Sequence, residues 1–482
     1  MPLVPYALGD ISNKDFSVSA PSSGRGPRLI PFIIGCALFM QMLDATIIAT
    51  ALPAMAASLG VAPVRLNVAI TAYLLAVAVF VPLSGWVADR VGARRVFVWA
   101  IGLFSFSSLL CGISQELWQL VAARVLQGFA GALMVPVGRI VLLRSVPKAQ
   151  LMSAMSFLTV PALVGPVLGP PFGGFLVTYA SWHWVFLINL PIGIAGIVLV
   201  LRYLPEVSRP EPRPLDVLGL VLSGVSLATL VLSFDVIGHG LMPWYGVLAL
   251  IGVGLLSGGL YLLHARRTAF PILDLSLFRI HTFSASTLGG NLSRLAIGAT
   301  PFLLTMQLQV VFGMTPLEAG LLSFTGAAGA LLMKFTAAPI IRLFGFRRTL
   351  MVNAVLSGLG VLAIAFFGAS SAHWIIMVVL LIAGFLRSLQ LTGVNTLTYA
   401  DVTPERMSQA SGLASVAQQL AISLGVGIAA LSLNLSMAWR GAETLSRHDL
   451  ILGYVVIAVL TMSSALAFRT LPAHAGAELN QR

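Results

Sequence analysis

Apolar residues in this chain gather in long unbroken runs, without the strict alternation of a half-buried strand or the single stripe of a soluble helix. Fourteen runs stand out, at 31–53, 67–87, 95–114, 118–142, 151–178, 184–203, 215–236, 244–265, 282–312, 317–340, 348–368, 373–397, 406–435 and 449–470. Each is long enough to cross a hydrocarbon core of about 30 Å as a helix. Only helices and closed barrels satisfy every backbone group in lipid. A barrel strand alternates, and these runs do not. The prediction is an all-α integral membrane protein with 14 transmembrane helices.

The polar positions between the runs fix an orientation. One set of loops carries Arg90, Arg94, Arg95, Arg144, Lys148, Arg202, Arg209, Arg213, Arg266, Arg267, Arg279, Arg342, Arg347 and Arg348, and the other only Arg65, Arg440 and Arg447. Basic loops stay in the cytoplasm. An even span count then predicts a multi-pass membrane protein with both termini cytoplasmic. The start, Met1 to Arg28, is rich in Ser, Gly and Pro and lacks an apolar run ahead of its basic residues. It reads as a tail rather than a cleaved signal.

Composition agrees. The 482 residues are 58% apolar and 9% charged, where a soluble domain carries roughly 25% charged residues. The net charge of +12 sits in short clusters between spans, which suits anionic lipid head groups and not nucleic acid. Cys36 and Cys111, the only cysteines, fall in distant spans and imply no disulfide framework.

A weak repeat is visible. Gly85-Trp86-Val87-Ala88-Asp89-Arg90-Val91-Gly92-Ala93-Arg94-Arg95 joins spans two and three. Ala338-Pro339-Ile340-Ile341-Arg342-Leu343-Phe344-Gly345-Phe346-Arg347-Arg348 joins spans ten and eleven, with the Gly and paired Arg in register. Two six-helix halves explain the repeat if spans seven and eight are an insertion; chance likeness of two basic loops is the plainer account.

The loop Gly85 to Arg95 also resembles the signature between helices two and three of the major facilitator superfamily. Leu43-Asp44-Ala45-Thr46-Ile47-Ile48 through Ala51-Leu52-Pro53 resembles the first-helix signature of its fourteen-helix drug:proton antiporter branch. Arg124-Val125-Leu126-Gln127-Gly128 resembles the fourth-helix motif, and Gly165-Pro166-Val167-Leu168-Gly169-Pro170-Pro171-Phe172-Gly173-Gly174 the fifth-helix antiporter motif. Trp182-His183-Trp184-Val185-Phe186-Leu187-Ile188-Asn189-Leu190-Pro191-Ile192-Gly193 completes the ordered set. The group it is most similar to is the multidrug resistance exporters of Gram-negative bacteria. The resemblance implies two six-helix bundles plus two inserted helices: a tail 1–30, a first bundle 31–203, the inserted pair with linkers 204–280, a second bundle 281–470 and a tail 471–482. It implies proton-coupled efflux of small organic compounds by alternating access, in a bacterial inner membrane.

Candidate chemistry follows from the residues themselves. Asp44 lies near mid-bilayer, where burial favours the neutral form of a carboxyl, so it is placed to take up or release a proton as water access changes. The plainer alternative is a structural carboxylate pinned by an Arg or by backbone. The resemblance assigns Arg124 to tune or pair with Asp44. Asp89 ends the second span, facing the start of the thirteenth helix with Thr403 as N-cap and Pro404 at its first position. A latch there, including Gly85, Arg90, Gly92, Arg94 and Arg95, competes with a solvated turn in which Asp89 merely holds Arg90. Gly165, Gly169 and Gly173 share one helix face and permit close backbone contact, with Pro166 and Pro170 bending the stretch and Gly174 beside it. A seam at which the halves rock and ordinary helix packing fit that spacing equally.

Arg294, Lys334 and Arg387 lie in the second half without an obvious acidic partner. An unpaired charge in hydrocarbon costs roughly 2.5–3.5 kcal/mol on insertion scales, so these should face a wet cavity, unless Lys334 snorkels. Gln41, Gln127, Asn291, Gln307, Gln390 and Asn395 are candidate polar contacts or helix glue. One intramembrane acid is few for an exporter of cationic drugs. Neutral lipophiles, or organic anions such as citrate and its iron chelate, fit the charge better, so a dedicated anion or metal-chelate exporter is the first rival and a non-transporting sensor the second. No metal-binding or nucleotide-binding signature is present, so the reading is not an enzyme, with no cofactor and no metal. The expected partners are a small-molecule substrate, protons and the bilayer, and the expected state is a monomer.

Overall fold

The computed structural model describes residues 26–61, 63–147, 150–206, 214–239, 242–314, 316–368, 371–441, 445–472 and 475–476. Lys148, Arg209 and Arg213 of the basic clusters and most of the two tails lie outside them. Among the described residues there is no strand. The helices are α1 (Gly26–Ser58), α2 (Pro63–Phe80), α3 (Leu83–Val91), α4 (Ala93–Gly112), α5 (Leu117–Ser145), α6 (Leu151–Tyr179), α7 (Trp184–Leu187), α8 (Asn189–Tyr203), α9 (Val217–His239), α10 (Trp244–Arg267), α11 (His281–Thr305), α12 (Pro316–Phe344), α13 (Phe346–Ala365), α14 (His373–Leu397), α15 (Met407–Arg440) and α16 (Arg447–Arg469).

Eleven spans are long and apolar enough to cross a membrane, and twelve if α2 and α3 count as one span bent by 61°. The bend falls at Pro82, which has no N–H to continue the ladder. Helices α6, of 29 residues, and α11, of 25, complete the fourteen passages by length. Polar residues such as Asn291 and Arg294 dilute the hydropathy of α11.

Lipid is the solvent this surface expects. Leu255, Leu256 and Leu263 of α10 are exposed, as are Phe106 and Leu466 elsewhere. Five of the eight tryptophans, Trp118, Trp184, Trp244, Trp374 and Trp439, are exposed at helix ends. By the up-and-down course of the chain all five lie at the end opposite the arginine-rich loops, as an interfacial aromatic belt does.

Helices α1, α2, α4, α5, α6 and α8 pack among themselves, as do α11 to α16. Helix α9 fills the gap between α2 and α15, one from each group, and α10 packs on α9. The buried cores divide unevenly. At the arginine-rich end one continuous core joins both groups, from Ile33, Phe97 and Val141 to Phe346, Leu397 and Met407. At the tryptophan end there are two separate cores, one around Ile47, Leu66 and Phe186 and the other around Leu303, Ile364 and Tyr454. The groups are therefore welded at one end only.

The linker glycines of the repeat share a backbone conformation. Gly92 (φ 105°) and Gly345 (φ 75°) each stand just before the following helix. A positive φ is costly for any residue with a Cβ, so both α3–α4 and α12–α13 turn on a glycine.

Candidate functional site

Asp44 sits just past the middle of α1, and its carboxylate is fully buried. Each oxygen has a partner. Arg124 of α5 reaches Oδ2 through Nη1 at 2.6 Å, and Oδ1 accepts from Gln127 Nε2 at 3.0 Å and from Asn189 Nδ2 at 3.1 Å. Arg124 and Gln127 lie one helical turn apart on α5, which is why they approach the same acid. Asn189 comes from the first turn of α8.

A second ring of contacts fixes these groups. Arg124 Nη1 also donates to Gln127 Oε1 at 2.7 Å, and its guanidinium lies 4.4 Å from the centroid of the Tyr73 ring. Gln127 and Asn189 both donate to Ser108 Oγ, at 2.7 and 3.2 Å. Gln41 Nε2 donates to Tyr73 Oη at 3.1 Å, tying this cluster to α2. Close helix approach makes the ring possible. A Cβ on Gly128 would stand 2.5 Å from the Tyr73 carbonyl oxygen, and one on Gly165 2.9 Å from the Leu43 amide nitrogen.

The fifth-helix glycines therefore have a definite neighbour. Gly165 and Gly169 press α6 onto Leu43, Thr46 and Ile47 of α1, on either side of Asp44. That contact is within the first group of helices, not between the two groups. Helix α6 runs unbroken through the motif, with Gly173 buried and no neighbour within 4 Å of a Cβ on Gly174. The side chains of Pro166 and Pro170 lie outside the described residues.

At the arginine-rich end the two groups interlock. The Asp89 carboxylate of α3 accepts from the Ser408 hydroxyl near the start of α15 and from Arg144 Nη2 of α5 at 3.0 Å. Arg144 Nη2 also donates to Ser408 Oγ at 2.7 Å. Ser411 Oγ donates to the Pro136 carbonyl at 3.1 Å and Arg139 Nη1 to Tyr399 Oη at 2.9 Å. A Cβ on Gly85 would meet the Ser408 carbonyl oxygen at 2.8 Å. Other signature residues turn away: Arg90 is exposed, Arg94 donates to the Leu201 carbonyl, and Arg95 pairs with Glu206 at 3.6 Å. Thr403 and Pro404 open a 3₁₀ turn, Pro404–Arg406, and α15 proper begins at Met407.

Loops flanking the inserted pair reach the same place. Pro214, Asp216, Phe270 and Ile272 line a small cleft together with Gly85, Asp89 and Gln409. Arg406 Nη2 binds Asp274 Oδ2 at 2.8 Å and Ser276 Oγ at 2.6 Å. Burial opposes the charge on Asp274, but hydrogen bonds from Ser276 and Arg406 outweigh it and hold this carboxyl below its ordinary range.

In the second group, Arg294 Nη2 donates to Asn395 Oδ1 at 2.5 Å and its Nη1 to Asn291 Oδ1 at 3.4 Å. Lys334 Nζ donates to Thr392 Oγ1 at 2.5 Å. Gln307 is spent on scaffolding, bonded to the Ile364 carbonyl and Tyr454 Oη at 3.1 and 2.9 Å. Arg387 lines a cavity of about 270 Å³ between α11, α12, α13, α14 and α16. The candidate cavity residues thus fall into separate clusters. Gln41 and Gln127 belong to the Asp44 site, and of the rest Arg387 and Gln390 line that cavity.

The profile of the Major Facilitator Superfamily matches residues 34–426 and 286–481. This chain belongs to the Major Facilitator Superfamily. It is 40% identical over 443 residues to the "Putative multidrug resistance protein MdtD" of Pectobacterium atrosepticum, covering 92% of this chain and 95% of that one. The like-named protein of Cronobacter sakazakii is 41% identical over 448 residues (92% and 94%), and that of Klebsiella pneumoniae 40% over 450 (92% and 95%). Among solved structures, the human organic anion transporter MFSD10 (TETRAN) superposes with a TM-score of 0.69 at 16% identity, over 92% of this chain and 100% of that one. The proton:xylose symporter XylE gives 0.65 at 14%, over 94% and 97%. These last two likenesses concern the fold alone.

A major facilitator is a transporter and not an enzyme, and this one is a multi-pass membrane protein. Four of its site residues carried no assigned role in the sequence. Asn189 stood in a motif without a task, Tyr73 and Ser108 lay in uniform apolar runs, and Arg144 counted only as loop charge. A polar residue within an apolar run was the available signal for the first three.

Proposed function

We propose that this major facilitator is a proton-coupled exporter of small organic compounds from the cytoplasm, working by alternating access. The observation that carries the reading is Asp44, the acid buried in α1 with Arg124, Gln127 and Asn189 as its direct partners. The bundles are 31–203 and 281–470, with 204–280 as the inserted pair and both termini cytoplasmic. The welded arginine-rich end is then the cytoplasmic face, and this state faces outward.

In this state Asp44 is charged and neutralised by Arg124, so protonation must compete with that pair. A proton arriving from outside frees Arg124 and leaves a neutral acid that needs an acceptor for its O–H. The Gln127 and Asn189 carboxamides can supply one by turning oxygen for nitrogen. Protonation thus changes the contacts between α1, α5 and α8, and a ligand or proton that favours one set of contacts shifts the conformational equilibrium. Asp89, Ser408 and Arg144 hold the outward state and part when the cytoplasmic side opens.

Charge favours a second reading of the cargo. Between His281 and Ala400 the only acidic residue is Glu318, which suits an organic anion better than a cation. Flux in proteoliposomes with an imposed pH gradient tests the main reading. Wild type should accumulate cargo against the proton flow and Asp44→Asn should only equilibrate it. Gradient-driven accumulation by Asp44→Asn at the wild-type rate would refute proton coupling at this acid.

A further inference from the structure

The cavity beside Arg387 has an unusual charge state for a membrane interior. Among the described residues Arg387 is the only ionisable one in its lining, and no carboxylate lines it. Among the described residues Arg387 makes no ion pair and no side-chain hydrogen bond, unlike Arg294, which Asn291 and Asn395 solvate, and Lys334, which Thr392 solvates. Thr300, buried in the same wall, has a hydroxyl equally free of partners among the described residues. The remaining walls are largely apolar, with Leu304, Val361, Ile364 and Leu380 prominent. Arg387 is the fifteenth residue of α14, about 21 Å along it from His373 at 1.5 Å per residue. It is therefore well inside the bilayer.

A guanidinium presents five N–H donors in a planar fork that fits a carboxylate two-fold. Left alone in a low-dielectric wall it is expensive, and one anion removes most of that cost. One cation compensates one negative charge. A second or third charge on the ligand would meet no further cation, only apolar wall and neutral groups such as Thr300, Ser357 and Gln390. The volume lies near the lower end of the roughly 300–1,000 Å³ of small-molecule sites.

We infer that the Arg387 cavity is a binding subsite for amphiphilic monoanions, one carboxylate or sulfonate on a short apolar body. The anion sits on Arg387 with Thr300 beside it, and the body lies against Leu304, Val361, Ile364 and Leu380. This inference rests on the exporter reading for its purpose, and names the cargo class of one wall of the transport path.

The test uses the purified full-length protein and calorimetry with 4-phenylbutanoate, its neutral amide and phenylsuccinate. The monocarboxylate should bind about 10- to 100-fold more tightly than the amide, the range of a charge-assisted hydrogen-bond pair, and more tightly than the dicarboxylate. Arg387→Gln should abolish that preference, and Arg387→Lys should keep part of it. Leu304→Trp, which fills the cavity without touching charge, should block all three ligands and so serves if Arg387→Gln does not fold. Equal binding of acid and amide, or an unchanged preference in Arg387→Gln or Leu304→Trp, overturns the subsite. Gradient-driven flux is measured on the same preparations. Without flux in wild type, an Arg387-dependent preference leaves the subsite standing and fells the exporter reading; flux with no such preference does the reverse.

Discussion

Cutting the Asp44–Arg124 pair from one side should cost far more than removing it whole. At an effective dielectric near 20, unit charges 2.6 Å apart attract by about 6 kcal/mol. Desolvation takes back several kcal/mol per ion, so the intact pair is near balance against a neutral pair of the same shape. Asp44→Asn keeps the shape but strands Arg124, which retains Gln127 Oε1 and the Tyr73 face. Breaking one side of a buried pair typically costs 3–5 kcal/mol, and the Tyr73 contact, present before and after the change, does not offset it. A net loss of about 3–5 kcal/mol is expected. Arg124→Gln should lose a similar amount, since Asp44 then keeps only neutral donors. The double variant Asp44→Asn/Arg124→Gln should fall within about 1 kcal/mol of wild type, giving a coupling energy of several kcal/mol. Unfolding free energies of the four proteins, from denaturant titration in one detergent, close the cycle. Additive losses, with the double variant as unstable as the two singles summed, would refute the claim that these charges compensate each other.

The interlock yields two more expectations. Gly85→Leu must push α3 from the Ser408 backbone, and overpacking by about 2 kcal/mol shifts a two-state equilibrium roughly 30-fold. Maleimide labelling of a cysteine placed at the buried Ser411 should accelerate accordingly, and an unchanged rate would mean that the seam does not open there. Asp274 is held below its ordinary carboxyl value near 3.8 by Ser276 and Arg406. Its contribution is therefore complete above that pH and lost as the pH falls through the lower folded value. The Tm gap between wild type and Asp274→Asn should be constant at pH 5–7 and shrink below about pH 4; a gap that widens on acidification would reverse the sign.

Much of this was legible in the sequence because lipid simplifies the code. Run length alone set fourteen helical passages, and an acid in the middle of a run had to be buried. The Asp44–Arg124 contact was expected only through family likeness, since residues 80 apart carry no spacing signal. Gly165 and Gly169 meet α1, yet spacing says that a backbone comes close and not whose: the opposite half was equally consistent. Asp89 was weighed as a latch to the thirteenth helix or a solvated turn residue, and its carboxylate meets the Ser408 hydroxyl, on the second residue of α15. Arg144 escaped notice because loop arginines all look alike until the fold brings one beneath the seam. The candidate cavity residues scattered for a similar reason. Gln307 and Asn291 are polar in the sequence in the same way, but one is consumed by Ile364 and Tyr454 and the other attends Arg294.

The division of charge between the halves explains why a duplicated fold need not work symmetrically. Gly92 and Gly345 preserve the turn of the repeat, but Arg342 stands where the first copy has Asp89, so the repeat carries an acid at this turn only in its first copy. The same bias recurs in mid-membrane. The first half stores a carboxylate already matched by its own arginine, the group to which the proposed function assigns the proton. Among the described residues the second half holds Arg294 and Lys334 on neutral dipoles and Arg387 on none, so a counter-charge must come from outside the protein. On the proposed function, a proton is read on α1 and α5 and a cargo charge on α14, and the two communicate through the seam that Ser408 and Asp89 close. Coupling in such a molecule needs no shared site. It needs one seam whose closure both occupants bias, and the continuous core at the arginine-rich end is the element that makes that closure all-or-none.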